Sequence, residues 1–165
     1  MIDKIISGGQ TGVDRAGLDV ALALGLSAGG WCPQGRLAED GTIPDRYPLM
    51  ETLESDYEIR TRRNVEDSDG TLILNRGALD GGTALTADYA RQIGKPCLIV
   101  ALEEEFDPER FRVWLDEHRI RVLNVAGPRA SKRPGVYAEA ARCLEMLLRT
   151  VLSGGRSTAA RSSGP

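Results

Sequence analysis

Four short runs of continuous apolar and β-branched residues punctuate the chain, at 4–7, 71–75, 97–101 and 122–125, with a weaker fifth at 30–32. Continuous rather than alternating apolarity marks strands covered on both faces, as in a parallel sheet. Between these runs apolar residues recur at helical spacing. Val136, Ala140, Leu144, Leu147 and Val151 form one stripe, opened by Pro134 and Gly135. Leu85, Tyr89 and Ile93 form another, ended by Gly94 and Pro96. Phe111, Trp114, Leu115 and His118 make a third, and residues 16–26 are apolar at helical length. Strands and helices alternating at these lengths predict an α/β fold, a doubly wound parallel sheet of about five strands with helices on both faces. The expected strand order is 2-1-3-4-5, in a single domain over residues 1–152.

Two segments break the alternation. The helix expected over 56–66 has only Tyr57, Ile59 and Val65 as apolar residues, so it either faces solvent or lines a polar cavity. Arg60 and Asn64 lie one turn apart on it, with Tyr57 and Thr61 on the same side. Residues 29–55 are too long for an ordinary connection, and their prolines and glycines fix a shape without regular structure. Loops of that kind are usually binding loops or lids. From 153 onward the chain is rich in Gly, Ser, Ala and Arg without an apolar period, and a disordered tail is expected at 153–165.

The 165 residues carry a net charge of −3, which gives no global field for nucleic acid or a membrane surface. Basic residues instead cluster locally at 60–63 and 129–133. Three widely spaced cysteines, Cys32, Cys97 and Cys143, suit free thiols rather than a disulfide framework or a metal site. With no leader pattern and no membrane-length apolar run, the expected location is cytoplasmic.

Candidate chemistry begins at Ser7-Gly8-Gly9-Gln10-Thr11-Gly12-Val13-Asp14, between the first strand and the first helix. Glycines there let a ligand approach the backbone, and the free N–H groups of a helix start attract anions, usually phosphates. Asp80-Gly81-Gly82-Thr83 repeats the arrangement after the 71–75 strand. Two such elements converging at the carboxyl edge of one sheet say more than either alone. The convergence requires the first strand and the 71–75 strand to be neighbours. The segment is neither G-x-G-x-x-G nor a P-loop, since no Gly-Lys-Ser/Thr follows, so ATP hydrolysis has no support.

These residues resemble the putative molybdenum cofactor carrier protein family, within the Rossmann-like superfamily that includes the cytokinin-activating phosphoribohydrolases (lysine-decarboxylase-like proteins). The match runs through residues 6–16, Gly30-Trp31-Cys32-Pro33-Gln34-Gly35-Arg36, 38–41, 47–49, 60–65, Gly81-Gly82-Thr83 and 123–129. The resemblance implies a Rossmann-like fold, a homo-oligomer, and a pocket for molybdopterin or a related nucleotide, with molybdoenzymes as possible recipients. The hydrolase relatives carry Pro-Gly-Gly-x-Gly-Thr-x-x-Glu. Thr86 stands here where that motif has its catalytic Glu, so no catalytic residue is assigned.

The expected role is therefore a carrier or storage protein for the molybdenum cofactor, without turnover. The pterin's own sulfurs hold the metal, and no protein-ligated metal is expected. Gly8, Gly9, Gln10, Thr11, Gly12, Gly81, Gly82 and Thr83 are the candidates to cradle the phosphate. Arg36, Arg60, Arg76 and Lys132 would add charge-assisted bonds, with Asn64 beside Arg60. Asp14 or Glu39 would accept from ring N–H groups, although Asp14 equally suits its own helix N-terminus. The alternatives are a nucleotide-processing enzyme of the phosphoribohydrolase type and a nucleotide-sensing binding protein.

Overall fold

Strand β7 (Gly70–Asn75) is buried at all six positions, as its unbroken apolar run requires. In the computed structural model, which describes residues 1–157, it lies inside a five-stranded parallel sheet. The other members are β1 (Lys4–Ile6), β2 (Ser27–Gly29), β8 (Cys97–Ala101) and β9 (Val122–Ala126). Four more short strands lie in the long connection: β3 (Trp31–Cys32), β4 (Leu37–Ala38), β5 (Gly41–Thr42) and β6 (Met50–Glu51). Helices α1 (Val13–Ala23), α4 (Pro108–Glu117) and α5 (Val136–Ser157) pack with one sheet face into the main core, around Leu72, Leu74, Phe111, Leu123 and Leu144. Helices α2 (Tyr57–Glu66) and α3 (Gly81–Gln92) pack on each other on the opposite face.

The predicted fold class, five parallel strands with helices on both faces, is the one observed, but the order within the sheet is β2-β1-β9-β7-β8. The last strand stands between the first and the 71–75 strand, which are therefore not neighbours as expected. Burial gives the reason: Leu123, Asn124 and Val125 are fully enclosed, whereas Ile99 of β8 is 44% exposed, as suits an edge strand. The weak fifth strand expected at 30–32 is not the one that joins the main sheet, which lies just before it. Ser27–Gly29 pairs with β1, and Gly30 (φ +124) then turns the chain away so that β3 pairs with β6. A Cβ at Gly30 would meet the Ser7 carbonyl oxygen at 2.3 Å, so only glycine allows this crossing.

The long connection folds over its own small core of Leu18, Cys32, Ala38, Ile43 and Tyr47. Helix α5 continues to Ser157, so the segment expected to be disordered from 153 is helical at its start; residues 158–165 lie outside the described residues. Among the described residues no helix is long and apolar enough to cross a membrane.

Candidate anion-binding cleft

Helix α1 leaves β1 on one face of the sheet and α3 leaves β7 on the other, so the connections diverge around the carboxyl end of β9. A cleft of ≈ 450 Å³ opens there, floored by residues 124–128 and walled by α2 and the start of α3. This is the crevice where open parallel sheets bind ligands.

The two glycine elements differ. At α3, Asp80 stands at the N-cap without a side-chain hydrogen bond to the helix, and Gly81, Gly82 and Thr83 line the cleft. A Cβ on Gly82 would meet nothing within 4 Å, so the helix's positive end is open to a ligand. Lys132 lies over it, its Nζ 2.6 Å from the Cβ position of Gly81 and 3.1 Å from Asp80 Oδ1.

At α1 the helix start is already covered. Val13 N–H donates to the Pro128 carbonyl at 3.3 Å, and a Cβ on Gly12 would collide with Pro128 O at 2.4 Å. Gln10 N–H donates to Asp14 Oδ2 at 3.2 Å, and Thr11 N–H to the Gln10 side chain at 3.0 Å. The first loop thus contributes Gly8, Gln10 and Asp14 to the cleft wall, while Gly9 faces Leu49 and Ile43 of the small core.

Arg60 and Asn64 reach inward from α2, while Arg62, Arg63 and Glu66 are exposed on its other side, so the helix's polarity comes from both faces. Arg60 is only 8% exposed; its Nε donates to the Tyr57 carbonyl at 3.3 Å and its Nη1 to the Gly8 carbonyl at 2.7 Å. Nη1 also lies 3.4 Å from Asp14 Oδ2. Burial pushes the Asp14 carboxyl above its ordinary range, against the opposing pull of the Arg60 charge and the Gln10 N–H. Asn64 borders the cleft, but its amide makes a reciprocal pair with the Trp31 peptide, accepting at 2.8 Å and donating at 2.9 Å.

Of the remaining sequence-predicted residues, Arg36 holds the long loop by donating to the carbonyls of Ile43, Pro44, Tyr47 and Leu49. Arg76 pairs with Glu139 on α5, outside the cleft wall. The Thr11 hydroxyl donates to Glu39, whose carboxylate also accepts from the backbone and side chain of Ser131. Glu39, Thr11 and Gly12 therefore join loops behind the cleft rather than lining it. Glu58, Asn124 and Arg129 also line the cleft and were not among the candidate binding residues, whereas Tyr57 and Asp80 line it beside residues that were. Asn124 and Arg129 follow from β9's central position, which apolar patterning does not encode. The described residues contain no group of three or more His, Cys, Asp or Glu side chains placed to hold a metal ion.

A model of the circularly permutated YpsA SLOG family matches residues 5–148. The chain belongs to this family. Its first and last strands, β1 and β9, are neighbours in the sheet. A solved structure described as a putative molybdenum carrier protein, from Syntrophus aciditrophicus SB, is 50% identical, with the match covering 89% of this chain and 95% of that one at a TM-score of 0.84. The resemblance read from the motifs is borne out by both comparisons. No curated protein matches.

Proposed function

We propose that this chain binds a phosphorylated heterocycle as a carrier, with the molybdenum cofactor as cargo. One observation carries the reading: the uncapped start of α3 opens into the same cleft as the buried cation Arg60 and the ammonium of Lys132. An oxyanion seated there meets backbone N–H groups, the Thr83 hydroxyl and positive charge together. The cargo's identity rests on the 50% identical protein described as a molybdenum carrier. The metal arrives on the pterin sulfurs, and the chain's task is to grip the phosphate and shield the ring. Self-association and delivery to molybdoenzymes in the cytoplasm complete the proposal.

Binding without turnover fits Thr86, which stands at the acid's position in the hydrolase motif and uses its hydroxyl to donate to the Gly82 carbonyl at 2.7 Å. A phosphoribohydrolase-type activity has one observation in its favour, the buried Asp14 with its raised carboxyl. Native mass spectrometry of the purified protein, followed by incubation with nucleoside monophosphates, tests both. A retained phosphorylated pterin and no released base support the carrier; catalytic release of base and ribose phosphate overturns it in favour of the enzyme.

A further inference from the structure

Arg129 follows β9 at the floor of the cleft and is partly exposed there. Its Nε is buried without a well-formed hydrogen bond, and Glu39 Oε2 lies 3.3 Å away. Glu39 is itself held from several sides. It accepts from the Thr11 and Ser131 hydroxyls and from Ser131 N–H at 3.1 Å, while its own N–H donates to Gln10 Oε1 at 2.9 Å. Ala130 N–H donates to the Thr11 hydroxyl at 3.2 Å and the Pro128 carbonyl accepts from Val13 N–H at 3.3 Å, so the segment carrying Arg129 is fastened on both sides of that residue.

Partial burial pushes the Glu39 carboxyl up, but the hydrogen bonds from Ser131 and Thr11 outweigh it and leave the group below its ordinary range. The carboxylate is therefore built into the loop junction in its charged form. A charge fixed beside one edge of a guanidinium orients the other edge.

We infer that Arg129 is a further ligand-binding residue, donating from its Nη groups to the bound oxyanion, and that Glu39 is the positioning residue that aims it. The inference rests on the anion-binding reading of the cleft. It also gives the long loop a function: residues 30–49 reach the ligand through Glu39, without a side chain of their own in the cleft wall.

The test is a double-variant cycle with adenosine 5′-monophosphate as the calorimetric probe, run alongside hydrogen exchange on the same proteins. Arg129→Ala and Glu39→Ala should each weaken binding about tenfold, and the double variant should bind no worse than Arg129→Ala alone. Asp40→Asn removes a neighbouring loop carboxylate, paired with Arg15 at 2.6 Å, and should leave affinity unchanged. Wild-type affinity in Glu39→Ala, multiplicative losses in the double variant, or an equal loss in Asp40→Asn would each overturn the assignment. If the wild type binds no probe, the anion-binding reading fails, and with it the ligand role of Arg129. The exchange measurement then decides the positioning role alone: faster exchange confined to residues 128–133 in Glu39→Ala supports it, and unchanged exchange overturns it.

Discussion

Arg60 places Nη1 2.7 Å from the carbonyl oxygen of Gly8, in space that a side chain at Gly8 would occupy. The ideal Cβ position at Gly8 lies 1.9 Å from that nitrogen and 2.9 Å from Asp14 Oδ2. Gly8 is thus required by the close approach of a buried cation. The glycine that reads in the sequence as a phosphate seat serves as the seat of the arginine.

Gly8→Ala should therefore displace Arg60 while leaving the sheet intact, because the colliding atoms end a flexible side chain. A stability loss of about 1–3 kcal/mol is expected, the usual range for an overpacked site. Affinity for a phosphorylated ligand should fall much further than stability does. Chemical denaturation and calorimetry on the same variant check both, and unchanged affinity would remove Arg60 from the binding site.

Asp14 makes a prediction about pH. Its folded carboxyl lies above the ordinary value of 3.8 because burial disfavours the charge. The native state holds this proton more tightly than the unfolded chain. The resulting stability is complete below the ordinary value and is lost as pH rises through the elevated one. Asp14→Asn cannot titrate, so its melting temperature relative to the wild type should climb as pH rises above the ordinary carboxyl value and level off once the wild-type carboxyl has ionised. A constant cost for leaving Arg60 without its partner shifts that curve but does not change its slope. A difference that declines with pH would contradict a raised carboxyl.

Gly82→Ala separates folding from binding. Gly82 lies in the first turn of α3, with open space around its Cβ position and no positive φ to favour glycine. Alanine there should stabilise the empty protein by about 0.4–1 kcal/mol by restricting the unfolded chain. The same methyl group stands where a ligand would approach the helix N–H groups, so affinity should drop. A variant both more stable and equally tight in binding would move the ligand away from α3.

Four of the five main strands and the main helices were legible because continuous apolar runs and helical periods report burial directly, whereas Ser27–Gly29 carries no such run. The order of the strands was not legible. The runs at 71–75, 97–101 and 122–125 look alike in sequence, and only their packing partners make β9 central and β8 an edge. For the same reason the cleft was partly legible: Arg60, Asp14, Gly82 and Lys132 were identified as neighbours of a ligand, and all four line it. Gly12 and Thr11 were assigned to the cradle because a glycine turn before a helix binds anions when its end is free. Here that end is occupied by Pro128, which arrives from more than a hundred residues away, and no local signal encodes such a contact.

Arg36 is the sharpest case of a cation whose role the fold reassigns. Its φ of +53 is costly for a residue with a side chain, and its guanidinium gathers four backbone carbonyls of the 43–49 segment at 2.8 to 3.4 Å. A ligand-binding arginine, when replaced, weakens binding and spares stability. A loop-organising one does the reverse. Arg36→Lys retains the charge but replaces a planar fork with a point charge that cannot satisfy four acceptors together. The lost charge-assisted bonds should cost roughly 2–3 kcal/mol, read as a shifted denaturation midpoint. Exchange of the amides over residues 36–49 should accelerate, beginning with Ile43 N–H, which donates to the Arg36 carbonyl at 2.7 Å. Unchanged stability with weakened binding would return Arg36 to the ligand and overturn its assignment as the organiser of the loop.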